Sequence, residues 1–161
     1  MHIYAIGDLH FSGVPEIKPM LVFGGQWDNH RQRIITNWKQ TVAPDDAVIL
    51  CGDISWAMKL QAAAEDDLRD IAALPGKKIM LRGNHDYWWT SAAKMNAFFE
   101  ANELDSLSIL HNNFYPYGED SAVCGTKGWF SEESTGTAHD KKLIEREAMR
   151  LEASLKAAES S

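Results

Sequence analysis

This sequence predicts an α/β fold built on a parallel sheet, and three observations carry that expectation. Apolar, β-prone runs alternate with helical periodicities through residue 105 of the 161-residue chain. Asp8 to Asp53 spans 45 positions and Asp53 to Asn84 spans 31, each enough for one strand-helix-strand passage. Three polar motifs, Asp8-Leu9-His10, Gly52-Asp53 and Gly83-Asn84-His85-Asp86, each stand just past an apolar run. Parallel sheets bind ligands outside the carboxyl ends of their strands, so the motifs fall where a site belongs.

The elements follow in order. His2 to Gly7 reads as a short buried strand. Residues 11–27 carry Gly13, Pro15, Pro19, Gly24 and Gly25 and are expected as a long loop. Asp28 is the expected N-cap of a helix with Ile34, Ile35, Trp38 and Val42 on one face and Pro44 beyond its end. Ala47 to Cys51 is the second buried strand. Leu60, Ala64, Leu68 and Ile71 mark a helix that stops before Pro75-Gly76. Lys78 to Leu81 is the third strand, and Thr90 is the expected cap of a helix carrying Met95, Phe98 and Phe99. Beyond residue 105, Leu107 to Leu110, Phe114 to Tyr117 and Ala122 to Cys124 read as short strands of a meander. A Gly, Ser and Thr-rich loop over 125–137 leads into a charged helix, on which Ile144, Glu147/Ala148, Leu151, Leu155 and Ala158 trace one face.

Composition narrows the function. Apolar residues make up 45% and charged residues 24%, ordinary values for one globular domain. Lys and Arg number 16 against 23 Asp and Glu, and the net charge of -7 excludes a general footprint for nucleic acid. No apolar run approaches the length of a membrane span. Met1-His2-Ile3-Tyr4 enters a strand pattern without the form of a signal peptide. A cytoplasmic location is therefore expected, with Cys51 and Cys124 as buried, reduced thiols.

The motifs supply hard oxygen and imidazole donors. Asp8 and His10 are two residues apart, so extended backbone points both side chains the same way, toward one cation. Asp53 adds a carboxylate whose two oxygens can bridge metals about 3.5–4 Å apart. Asn84 offers a neutral carbonyl oxygen to the second metal. His85 is then left to act on substrate, with Asp86 expected to accept its other ring N–H. This donor set suits two divalent ions, Mn, Fe, Ni or Zn. Such a pair acidifies a shared water for in-line attack on a phosphate ester, while His85 donates toward the leaving oxygen. Each motif alone is ordinary turn chemistry. Their succession at three strand ends carries the reading.

The series resembles the first half of the calcineurin-like metallophosphoesterase signature. The stretches Gly52-Asp53-Ile54-Ser55-Trp56-Ala57-Met58 and Arg82-Gly83-Asn84-His85-Asp86-Tyr87-Trp88-Trp89 are similar to a bacterial branch of that family. The resemblance spans the whole chain but only the N-terminal part of the family's domain. It implies a metallophosphoesterase-type parallel or mixed sheet flanked by helices, an incomplete four-layer αββα domain over residues 1–161. It also implies phosphoester hydrolysis by a metal-bridging hydroxide at a dinuclear site. By the same resemblance Asp8 and His10 bind the first metal, Asp53 bridges, Asn84 binds the second and His85 is the catalytic histidine. Many members carry an Asp where this chain has Trp56. The family's later histidine and its Gly-His-x-His pair have no counterpart after Asp86. A C-terminally truncated chain is therefore expected, with self-association covering an exposed sheet edge and apolar faces.

Other residues have a functional reading and a plainer one. Arg82, Lys127 and Trp88 are candidates for the substrate pocket; ion pairing, a solvated loop and packing are their plainer roles. Trp56 and Trp89 divide the same way, and Trp38 is core. Trp27, Asp28 and His30 border the site if the glycine-rich turn folds over it; otherwise His30 faces solvent. His111 is expected in a turn, and His139 in a cap at the start of the last helix. Two further functions stay open: a non-catalytic metal- or phosphate-binding module, and a structural domain whose strand-end acids serve only as turns.

Overall fold

Four short strands, β1 (Ile3–Ile6), β2 (Ala47–Leu50), β3 (Lys77–Met80) and β4 (Leu107–Ile109), run parallel in the order β1-β2-β3-β4. Ile6 pairs with Leu50, Leu50 with Met80, and Met80 with Ile109, so the strand ends are in line. The computed structural model describes residues 1–61, 63–128 and 137–160; most of the predicted loop 125–137 lies outside them. The described residues form two compact units, Met1–Ile109 and Leu110–Ser161.

In the first unit, helices α1 (His30–Thr41), α2 (Ala63–Ala72) and α3 (Ala92–Ala101) connect successive strands. This is the strand-helix alternation that the apolar periodicity predicts. Val48, Leu50 and Met80 from the sheet meet Trp38, Leu68, Ile71, Met95 and Phe99 from the helices in one core. Each such side chain contributes about 1.5–3 kcal/mol on burial. β1 is half-buried rather than buried, because it is an edge strand with a neighbour on one side only. Two caps fall one residue later than expected: Asn29, in the left-handed region, precedes α1, and the Ser91 side chain caps α3 by accepting from the Lys94 N–H. Lys78 is fully buried, its ammonium donating to the Ala72 and Leu74 carbonyls and the Ser106 hydroxyl. It thereby closes the carboxyl end of α2.

The predicted meander does not form. The passage through α3 returns the chain beside β3 in the same direction, so β4 joins the parallel sheet. Among the described residues only β5 (Phe114–Tyr117) and β6 (Ser121–Cys124), in the second unit, pair as an antiparallel hairpin. Helix α4 (Ala138–Glu159) packs on that hairpin and opens with a capping box of Thr137 and Asp140; His139 takes no part in the cap. The packed side of α4 also differs from the apolar stripe. Ser154 donates to the Asn113 carbonyl and accepts from the Gly125 N–H, and Glu147 accepts from Thr126. These bonds turn Glu147 and Ser154 inward and leave Ile144, Leu151 and Leu155 exposed. Both cysteines are free but not buried as expected: Cys51, just past the end of β2, is exposed, and Cys124, the last residue of β6, is half-buried. No described helix is long and apolar enough to cross a membrane.

Candidate metal centre

Backbone pairing between β1 and β2 continues beyond the strands and sets the site. Asp8 N–H donates to Gly52 O at 3.1 Å, His10 N–H to Asp53 O at 2.9 Å and Phe11 N–H to Ile54 O at 3.0 Å. These bonds bring Asp8, His10 and Asp53 to one rim. All three adopt positive φ, 56°, 47° and 53°. Side chains seldom enter that region, and Asp and His are among those that tolerate it. Gly52 and Gly83 explain the glycine before each downstream motif. Gly52 has φ 98°, and a Cβ there would meet the Gly83 Cα at 2.5 Å. One on Gly83 would run into the backbone and carboxylate of Asp53. The two loops touch backbone to backbone, and local strain of this kind gathers at functional sites.

Five predicted residues converge there. His10 Nε2 stands 3.5 Å from Asp8 Oδ1 and 4.0 Å from Asp53 Oδ2. His85 Nδ1 stands 2.8 Å from Asp53 Oδ2, and the His85 backbone N–H donates to Asp53 Oδ1 at 2.9 Å. Ligating atoms of His10, Asp53 and His85 all lie within 4.8 Å of one another. The Asn84 side-chain amide lies 3.3 Å from His85 Nδ1. Asp8, with its side chain 73% exposed, forms the outer lip.

His10 is held by rings. Trp56 stacks on it at 4.8 Å between centroids, and Trp27 meets it edge-on at 5.8 Å. His30 is buried rather than solvent-facing, its Nε2 3.3 Å from the His10 carbonyl oxygen and its ring edge-on to Trp27. Trp27 and His30 thus do border the site. Burial pushes the His10 imidazole below its ordinary value, against the pull of Asp53 and Asp8. This favours the neutral ring that a metal requires.

The donors fit a divalent cation. Two ligands that share one ion at bonds of about 2.1 Å stand roughly 3–3.5 Å apart, which is the scale of the 3.5 Å between His10 Nε2 and Asp8 Oδ1. His10 Nδ1 is buried without a hydrogen-bond partner among the described residues, and its Nε2 lies too far from either carboxylate for a strong hydrogen bond. Only histidines pair with Asp8 and Asp53 among the described residues, so no lysine or arginine neutralises them there.

Asp86 stands differently from the expectation. The ring nitrogen of His85 faces Asp53, and the oxygens of Asp86 accept from the backbone N–H groups of Gly83, Asp53, Ile54 and Ser55 and from Trp88 Nε1. This fully buried carboxylate ties the second motif to the third. Asp67 is its counterpart on the other side and was not legible as a site residue. It accepts from Gly13 N–H, the Ser55 hydroxyl and Arg31, which also reaches Asp70. The loop after β1 is pinned in this way to the loop after β2. Lys18, also unforeseen, sets its ammonium 3.1 Å from the centre of the Trp56 ring. Arg82 is exposed beside the third motif, Trp88 is buried against Asp86, and Lys127 lies past β6 in the second unit. His111 sits in a turn, its N–H donating to Asn113 Oδ1.

A family model described as calcineurin-like phosphoesterase matches residues 1–152. No curated protein matches the chain. A crystal structure of a protein of unknown function from Aquifex aeolicus is similar at 20% identity and a TM-score of 0.47, over 91% of this chain and 72% of that one.

Proposed function

The chain belongs to the calcineurin-like phosphoesterase family, and from that premise we propose that it hydrolyses phosphate esters with two divalent cations held at the rim of its parallel sheet. The observation that carries this reading is the convergence of His10, Asp53 and His85 around carboxylates paired only with histidine. Asp8 and His10 would hold one cation, Asp53 would serve both, and Asn84 the second; Mn, Fe, Ni or Zn suits these donors. Bound there, the cations would stabilise charge on the phosphoryl oxygens and acidify a water.

The chain's own residues do the rest. Asp53 orients His85 through its backbone N–H and its ring Nδ1. That leaves Nε2 to face a substrate and give a proton toward the leaving oxygen. Asp86 touches no substrate; it positions Asp53 through the main chain.

Titration calorimetry with Mn²⁺ and hydrolysis of p-nitrophenyl phosphate test the proposal. Two bound ions and turnover are expected, both lost in Asp53→Asn. One weak ion without turnover would favour a non-catalytic binding module instead. Failure to bind metal at any pH would remove the metal-dependent reading.

A further inference from the structure

A cavity of about 520 Å³ opens beside the metal centre, within the first unit. Its size lies in the range of small-molecule sites, roughly 300–1,000 Å³. Two loops of the candidate site form its near wall. Tyr87 lines it, and the Tyr87 ring meets the His85 ring edge-on at 6.3 Å. Met58 lines it two residues after Trp56, whose ring lies 4.8 Å from that of His85. Tyr87 and Phe98 give it an aromatic surface, with the buried Trp88 behind them. Lys59 and Lys94 both line it as well, on opposite elements, the β2 loop and α3. Neither forms an ion pair among the described residues. Two cations without a protein carboxylate, over aromatic rings, suit a flat apolar body that ends in an anion. The first turn of α3, beginning at Ala92, adds the positive end of a helix dipole near Thr90 and Lys94.

We propose that this cavity receives the leaving-group part of the substrate, so that the chain acts on phosphate esters whose leaving group carries a ring and a second phosphate. The inference rests on the phosphoesterase reading but deepens it, since nothing in the metal-ligand set chooses among esters. One phosphate would lie at the rim beside His85, the ring against Tyr87 and Phe98, and the second phosphate between Lys59 and Lys94.

The test uses thymidine 5′-monophosphate and thymidine as probes on the metal-free chain by calorimetry, and thymidine 3′,5′-bisphosphate once Mn²⁺ is present. The monophosphate should bind at least about tenfold more tightly than thymidine, the scale of one charge-assisted contact. The double variant Lys59→Ala, Lys94→Ala should erase that difference while keeping its melting temperature. Ala97→Phe, which fills the cavity and removes no charge, should weaken the monophosphate similarly. Equal binding of the two probes, or equal binding by wild type and both variants, would overturn the proposal. With Mn²⁺ present, the preference for the bisphosphate over p-nitrophenyl phosphate should fall about tenfold in the double variant. An unchanged preference would also overturn it. Loss of Mn²⁺ binding by the wild-type chain would strike the metal reading alone, because the metal-free measurement decides the cavity separately.

Discussion

Glu147 in the second unit and Asp53 in the first are both buried carboxylates, 4% and 7% exposed, but their surroundings differ in kind. Glu147 lies 2.7 Å from Arg150 Nη1 and 3.4 Å from Arg146 Nε, and accepts from the Thr126 hydroxyl at 2.6 Å. Burial alone would raise its carboxyl, but Thr126 and the two arginines outweigh it and hold the group below the usual range. Asp53 has only histidines as ion-pair partners among the described residues, and one of them, His10, also faces the Asp8 carboxylate. The Asp53 carboxylate accepts the backbone N–H of His85 and is left without a fixed cation. An acid meant only to staple two elements is built like Glu147. An acid that awaits a mobile cation is built like Asp53.

The largest effect should come from removing the brace beneath Asp53. Asp86→Ala leaves four backbone N–H groups and the Trp88 indole without their acceptor. We expect a loss of roughly 3–5 kcal/mol in urea unfolding, the cost of breaking a buried charged network. Next comes Asp53→Asn, which should weaken Mn²⁺ at least about 100-fold, or about 2.7 kcal/mol. In the metal-free protein the same change should shift stability by less than about 1 kcal/mol, because it removes charge that nothing fixed neutralises. If Asp53→Asn unfolded the metal-free chain, the contrast with Glu147 would collapse.

The sequence displayed much of this contrast. Asp8, His10, Asp53, Asn84 and His85 were legible as neighbours at one rim because short continuous apolar runs fix where strands end, and parallel pairing brings their ends together. The strands themselves were legible to within a residue for the same reason. Asp86 was misread as a partner for His85, since sequence adjacency cannot show that its carboxylate turns back to the β2 loop. Asp67 and Arg31 were hidden in amphipathic helix patterns, where an acid or base at a buried position resembles one on a solvated face. The inner side of α4 was hidden too. The expected face ran from Glu147 through Leu151 and Leu155; Glu147 does turn inward, but hydrogen bonds to Ser154 bring that residue in and leave the two leucines exposed. β4 was misplaced because a strand of only three residues, Leu107-Ser108-Ile109, looks alike in a parallel sheet and in a meander.

Glu147→Gln sharpens the other half of the comparison. It should cost roughly 2 kcal/mol, as a buried charged hydrogen-bond acceptor is lost, and leave Mn²⁺ affinity unchanged. Its pH dependence has a definite sign. A carboxyl held below its ordinary value stabilises the fold above the unfolded value, and that contribution is lost as pH falls through the folded one. Wild type should therefore lose stability below about pH 4.5 more steeply than Glu147→Gln. Equal acid limbs for the two proteins would show that the arginines do not hold the charge.

The smallest effect extends the comparison to a cation. Lys78 is 0% exposed, donates only to carbonyl and hydroxyl oxygens, and has no carboxylate partner among the described residues. Burial pushes it down to about 8. A lysine lowered in the folded state binds its proton less well there than in the unfolded chain, so stability rises with pH between the folded value and the ordinary 10.5. The gain should be about 1 kcal/mol from pH 8 to pH 9, since one full proton corresponds to about 1.4 kcal/mol per pH unit. In Lys78→Met that rise should vanish. A wild-type curve flat across this window would mean that the acceptors at the end of α2 neutralise the ammonium as fully as the arginines neutralise Glu147. A buried charge in this fold would then need no opposite charge to be at home.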